Sequence, residues 1–308
     1  MERQVIDEIQ QLKKEKNAVI LAHYYTWPEV QAIADFSGDS LGLSRKAGET
    51  DADIIVFAGV EFMAETASII SPEKKVLIPE GNLGCSLADC ITAEKLRNWK
   101  SQYPEAVVVS YVNSTAEVKA ESDYCCTSGN AVNVLKAIPE DKQILFCPDA
   151  NLGAWAAKEA GREVILWKGG CHVHVAMNLA MLKKAAATYP DHEILMHPEA
   201  SCSAEIPEEL KERTYIYSTA GMIKHVAASA KKKFLIATEP GILYELQQQN
   251  PEKEFVAIDS FLVCGSMKTI TQEKILAALK YETRVVKVND ELAAKARKPI
   301  ERMISINR

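Results

Sequence analysis

Several signatures of common chemistries are missing from this sequence. No CxxC pair occurs, which argues against thioredoxin-type exchange and zinc ribbons. There is no Walker loop, GxGxxG or HExxH, so nucleoside triphosphate, dinucleotide and zinc-protease readings lack their usual support. No block of basic residues is longer than Lys231, Lys232 and Lys233, and 42 acidic against 36 basic side chains give a net charge of -6. Nucleic acid and anionic membrane are poor partners for such a chain. Apolar stretches such as Ile54 to Val60 fall far short of the roughly 20 residues that cross a bilayer. The N-terminal MERQVIDEIQQLKKEK has charges every few residues and no apolar core of the kind a signal peptide needs, so a cytoplasmic location is expected.

What is present is a globular composition. The 308 residues are 47% apolar and 25% charged, long enough to bury a substantial core. Eight cysteines (Cys85, Cys90, Cys125, Cys126, Cys147, Cys171, Cys202, Cys264) read as thiols or metal ligands rather than a disulfide frame.

Self-similarity decides the architecture. The run NAVILAHYY (17–25) has counterparts in EAVVVSYVN (105–113) and HEILMHPEA (192–200), which makes His23, Tyr111 and His197 equivalent. FSGDSLG (36–42) matches YCCTSGN (124–130) and YIYSTAG (215–221), each with an acid or hydroxyl pair beside a small residue. A third block, ADIIVFAGVE, KQILFCPDAN and KKFLIATEPG, begins at 52, 142 and 232, an even spacing. The fourth, KKVLIPEGNLGC, REVILWKGGC and EFVAIDSFLVC, ends each time in a cysteine: Cys85, Cys171 and Cys264.

Between the blocks lie segments of helical period. Pro28 suits a first helical turn, and Ser114-Thr115-Ala116-Glu117 reads as a capping box. Strands rich in Val, Ile and Leu, separated by helices, indicate parallel sheets covered on both faces. The expected fold is α/β: three pseudo-equivalent, small, doubly wound domains with four-stranded parallel sheets around an approximate three-fold axis. Their boundaries fall at 1–103 (with an N-terminal helix), 104–190 and 191–281, leaving 282–308 as a charged C-terminal tail. Long helical stretches are expected after each cysteine, over 86–101, 172–188 and 265–280.

Ligands of open parallel sheets bind at the carboxyl ends of the strands. Three such domains meeting strand ends inward would create one cavity with three rings of polar residues. Three convergent thiolates without a fourth partner suit a [4Fe-4S] cubane that keeps one open iron, a Lewis acid suited to dehydration chemistry. The pairs Asp39-Ser40, Thr127-Ser128 and Ser218-Thr219 stand at or beside helix N-caps, where three termini would favour a small polyanion. His23, Tyr25, Tyr111, Asn113, His197 and Glu199 supply proton and hydrogen-bond chemistry. His172, His174, His192 and His225 have no place in the repeat and read as structural, as do the other five cysteines.

At this level of detail the chain resembles the quinolinate synthase family of NAD biosynthesis. The resemblance rests on AHYYTWPEVQAIADFSGDSLGLS, FAGVEFMAETA, GCSLAD, YVNSTAEVKA, CTSGNA, FCPDANLGAW, HPE, STAGM and CGSMKTIT, in the family's order over nearly the whole chain. It implies Cys85, Cys171 and Cys264 as ligands of a [4Fe-4S] cluster with one open iron. The implied pocket for iminosuccinate is His23, Ser40, Tyr111, Val112, Asn113, Ser128, His197, Pro198, Glu199 and Thr219. It further implies condensation of iminosuccinate with dihydroxyacetone phosphate to give quinolinate, with an L-aspartate oxidase or aspartate dehydrogenase as functional partner. Tyr25 and Glu199 would exchange protons, while His23 and His197 hold carboxylate or carbonyl oxygens. Gly265-Ser266, Ala200-Ser201-Cys202 and Val175 depart from the family pattern in loops near the third repeat and Cys171. Another iron-sulfur hydro-lyase, an iron or oxygen sensor, and a zinc-bound structural protein are the competing readings of the same residues.

Overall fold

Short β-branched runs without polar alternation form strands buried on both faces, and such strands need helices on either side. The computed structural model describes residues 2–81 and 83–306 and follows that rule in three units. In the first, β1 (Ala18–His23), β2 (Phe36–Gly38), β3 (Ile54–Ala58) and β4 (Lys75–Leu77) form a parallel sheet in the order β2-β1-β3-β4. The second unit repeats this with β5 (Val107–Tyr111), β6 (Tyr124–Cys126), β7 (Ile144–Cys147) and β8 (Ile165–Leu166), ordered β6-β5-β7-β8. The third has β9 (Glu193–Met196), β10 (Thr214–Ile216), β11 (Lys233–Ala237) and β12 (Glu254–Ala257), ordered β10-β9-β11-β12. A helix joins each strand to the next.

Register confirms the equivalence that the repeat proposes. The last residue of each first strand paired to its third-strand neighbour is Ala22 (with Ala58), Ser110 (with Cys147) and Met196 (with Ala237). His23, Tyr111 and His197 are each the next residue, so all three leave their sheets at the same place. The same register aligns Ala58 with Cys147, which shifts the evenly spaced third block by one residue between the first two units.

Two local expectations change. The stretches after the cysteines are not continuous helices. Each is one short turn followed by a longer helix: Ala88–Cys90 then Ala93–Lys100, His172–Val175 then Leu179–Thr188, and Gly265–Lys268 then Gln272–Tyr281. The interruption is chemical. Thr92, Asn178 and Thr271 adopt extended backbone and cap the longer helices, accepting from Lys95, Met181 and Lys274 N at 3.3, 3.0 and 3.4 Å. In the second unit the cap falls one residue after the expected Ser114. Thr115 accepts from Val118 N, and the Ser114 hydroxyl turns back to donate to Tyr111 O at 2.9 Å.

One core cluster spans all three units and includes Ile20, Phe57, Phe146 and Phe234, with smaller separate clusters in the third and second units around Leu235 and Leu145. The charged segment after 281 runs beside β4, with Val286 N donating to Val76 O at 2.8 Å, and then forms helix Asp290–Ser305. That helix clamps the first unit to the second. Arg45 Nη2 donates to Ile304 O at 2.8 Å, Asn130 Nδ2 to Met303 O at 2.8 Å, and Arg302 Nη1 to Asp123 O at 2.6 Å. Among the described residues, no helix is long and apolar enough to cross a membrane.

Candidate active site

The carboxyl ends of the three sheets line one cavity of about 80 Å3, partly open to solvent. His23, Tyr25, Tyr111, Asn113, His197 and Glu199 all reach it, as do Ser40, Ser128, Thr219 and the three cysteines Cys85, Cys171 and Cys264. Val112 and Pro198 lie between lining residues without lining the cavity themselves: Val112 N donates to Cys126 O, and Pro198 O accepts from the Ser203 hydroxyl at 2.7 Å.

The hydroxyl ring follows from capping. Asp39 accepts from Gly42 N at 2.8 Å and Ser218 from Gly221 N at 3.2 Å, which places Ser40 and Thr219 in the first turns of helices Ser40–Glu49 and Thr219–Ala228. The second unit differs. Thr127 caps a tight turn, accepting from Gly129 N at 3.2 Å, and helix Ala131–Ala137 begins only after it. Ser128 therefore sits on a turn rather than in a helix.

All three cysteines are free and half-buried at the start of a short turn. Burial pushes the Cys85 thiol well up, partly offset by N–H groups of Ala88 and Leu87; Cys171 and Cys264 push it further. Cys264 is raised by the same cause, with Met267 N–H opposing and Cys171 adding. All three thiols line the same cavity. They do not make a single-ion site, however. Among the described residues, the donor group whose atoms lie within 4.8 Å of one another is Cys171, His174 and Glu199, not the cysteine trio. A tetrahedral zinc with about 2.3 Å to each sulfur would need the trio closer than that. Three thiols that converge but stay spread fit a polynuclear group.

The histidines divide into two kinds. His23 Nδ1 accepts from Tyr25 N at 3.1 Å, and His197 Nδ1 accepts from Glu199 N at 3.4 Å, the same contact in two units. An accepting nitrogen carries no proton, so in the neutral rings the proton is on Nε2. Burial holds both rings neutral, drawing their pKa values down to about 3. Each is a fixed Nε2–H donor, and His197 Nε2 lies 3.2 Å from the Ser128 hydroxyl.

His174 behaves in the opposite way. Burial works to lower its pKa, but the Cys171 sulfur and the Glu199 carboxylate outweigh it and hold the ring well above its ordinary value. Its Nδ1 lies 3.2 Å from both Cys171 Sγ and Glu199 Oε2, while Nε2 is 2.8 Å from Thr238 Oγ1. Burial would raise Glu199 in turn, yet His174, with His197 and the Tyr111 hydroxyl, draws it below the usual carboxylate range. Tyr111 donates to Glu199 Oε1 at 2.6 Å. The Tyr25 hydroxyl sits 2.6 Å from Thr238 Oγ1 and 3.5 Å from His174 Nε2, and burial keeps both tyrosines protonated.

The structural reading of His172 and His174 is thus overturned: both line the cavity, with His172 Nδ1 2.6 Å from the Ser86 hydroxyl. His192 and His225 stay outside it, beside Glu254 and Glu193. His174 stands three residues after Cys171 on the same one-turn helix, and that spacing is the signal that could have found it. Lys268 was also missed. Its ammonium donates to Tyr25 O at 2.6 Å and pairs with Glu239 Oε1 at 2.9 Å, so it is engaged by the protein itself. Asn113 Oδ1, by contrast, is buried at the cavity without a hydrogen-bond partner among the described residues.

Known proteins place this site in context. Residues 7–305 match the family model described as Quinolinate synthetase A protein. A quinolinate synthase of Prosthecochloris aestuarii is 45% identical, covering 98% of this chain and 94% of that protein. One from Pyrobaculum aerophilum is 47% identical over 96% of this chain and 98% of its own, and one from Thermus thermophilus is 47% identical over 97% and 96%. The repeat, the cavity and these relatives converge: the chain belongs to the quinolinate synthase family of enzymes.

Proposed function

We propose that this chain condenses iminosuccinate with dihydroxyacetone phosphate to give quinolinate, phosphate and two waters, acting in the cytoplasm in NAD biosynthesis. Its three units, divided at 1–103, 104–190 and 191–281, would surround one site about an approximate three-fold axis. Cys85, Cys171 and Cys264 would hold a [4Fe-4S] cluster. The observation that carries the reading is the meeting of one free cysteine from each unit in a single cavity with fixed neutral donors and hydroxyls. When bound, such a cluster supplies a Lewis acid at the iron that no cysteine holds.

The protein's own groups divide the remaining work. Nε2–H of His23 and His197 would donate to carboxylate or carbonyl oxygens of the substrate without adding charge. Ser40, Ser128 and Thr219, with the N–H groups of their turns, would receive the phosphate and carboxylates. Asn113 is left with an acceptor for an imine or amine N–H. Tyr25 stays protonated and is backed by Thr238 and His174, an arrangement suited to a general acid. Glu199 stays ionised, held by Tyr111 and His174, and is suited to take a proton from carbon or nitrogen. Iminosuccinate is unstable, so an L-aspartate oxidase or aspartate dehydrogenase would supply it.

The test is product formation. Protein loaded anaerobically with iron and sulfide is given oxaloacetate with ammonia, as a source of iminosuccinate, and dihydroxyacetone phosphate. Pyridine-2,3-dicarboxylate dependent on both substrates is expected. Brown, loaded protein that makes none would overturn the assignment.

A further inference from the structure

Two acids outside the proton machinery stand at the same place in their units. Asp149 is two residues beyond β7 and Glu239 two beyond β11, and both are fully buried. Each divides its oxygens in the same manner. One oxygen holds the chain just downstream: Asp149 Oδ1 accepts from Leu152 N at 2.8 Å, and Glu239 Oε2 from Gly241 N at 2.6 Å. The other reaches across to a cysteine: Asp149 Oδ2 accepts from Cys171 N at 3.3 Å, and Glu239 Oε1, which also pairs with the Lys268 ammonium at 2.9 Å, accepts from Cys264 N at 3.3 Å. In the first unit the register puts Val60 at this place, and a valine side chain has no acceptor for Cys85.

We infer that Asp149 and Glu239 are positioning residues for the cysteine trio: each carboxylate braces the main chain of its own unit's cysteine, while Cys85 has no such brace among the described residues. The inference rests on the trio holding an iron-sulfur cluster. Its physical basis is that Cys171 and Cys264 each stand at the N-cap of a one-turn helix, too short to fix itself. A buried carboxylate two residues past its strand, tied at one oxygen to the chain just downstream and at the other to the cysteine N–H, joins that turn to the sheet's framework. An amide cannot replace it. In Asp149→Asn or Glu239→Gln, one end of the side chain becomes an NH2 group, so whichever backbone N–H it meets faces a donor instead of an acceptor. Partners outside the ligand shell commonly alter metal affinity by roughly 10- to 100-fold.

The experiment loads parent, Asp149→Asn, Glu239→Gln and Asp149→Ser with iron and sulfide anaerobically, then follows iron release to a ferrous chelator by absorbance. Asp149→Ser retains a hydroxyl to cap the helix at Leu152 but is too short to reach Cys171, so it separates cap from brace. Glu193→Gln, a buried carboxylate outside the cavity, serves as control. Release about 10-fold faster is expected in all three site variants, with the control matching the parent and the metal-free proteins melting alike. Release within twofold of the parent in the site variants, or equal acceleration in Glu193→Gln, would overturn the inference while leaving the cluster in place. A parent that takes up no iron defeats the cluster reading and this inference with it.

Discussion

His23 and His197 on the one hand, and His174 on the other, whose ring stacks on that of His197 at 4.6 Å, are buried to nearly the same degree and end in opposite charge states. Burial alone would neutralise all three. What separates them is the nearest partner at Nδ1: a main-chain N–H for His23 and for His197, with the Glu199 carboxylate farther from His197 at 3.6 Å, but that carboxylate and a thiol, each at 3.2 Å, for His174. The cavity therefore carries two neutral donors, which under the proposed function would meet substrate oxygens, and a charged His174–Glu199 pair, which would move protons.

The largest effect should come from removing a sulfur. Cys85→Ser, Cys171→Ser or Cys264→Ser should each lose iron on gel filtration under anaerobic conditions and fall to background turnover, while the metal-free protein keeps its far-UV circular dichroism.

Breaking the charged side comes next. Glu199→Gln should lower kcat by about 10²- to 10⁴-fold, the usual worth of a positioned base, with iron content retained. A variant with both the full iron complement and full turnover would remove Glu199 from proton transfer.

The neutral side should respond in binding rather than chemistry. His197→Ala should raise KM by about tenfold, as loss of one hydrogen bond to a charged group does, with a smaller change in kcat. His197→Gln, which can present an N–H in place of Nε2–H, should recover most of it. A kcat loss as deep as that of Glu199→Gln would erase the distinction.

The same contrast has a weaker thermodynamic signature. His23 and His197 titrate near 3 when folded and near 6.5 when unfolded, so below pH 6.5 the unfolded chain binds more protons. Stability of the metal-free protein should fall as pH drops from 6.5 toward 3, each histidine contributing about 1.4 kcal/mol per pH unit in that window. In His23→Gln the acid slope should be shallower by about that amount in urea titrations at pH 6 and 5. An unchanged slope would place a charged His23 in the folded state.

Much of this was legible in the chain because the fold is repeated. Three copies of one block order gave the alternation of strands and helices and aligned His23 with Tyr111 and His197, and the cysteines closed each copy, whereas the order of strands within each sheet came only from the structure. Repetition is blind to residues that occur once. The positions corresponding to His174, three residues past each cysteine, are Ala88 and Met267, so nothing in the repeat marked it. Asp149 and Glu239 did recur, but in two units of three, and acids after a buried strand are also ordinary helix caps. The broken helices escaped because apolar periodicity continues across Ile91-Thr92, Met177-Asn178 and Ile270-Thr271; only the capping residues betray the interruption.

The most direct measurement of the central claim is a Mössbauer spectrum of protein loaded with ⁵⁷Fe, recorded with and without dihydroxyacetone phosphate and iminosuccinate. About four irons per chain, one of which shifts on addition of substrate while the other three do not, is the predicted result. A colourless protein holding a single zinc, or irons that all ignore substrate, would contradict it.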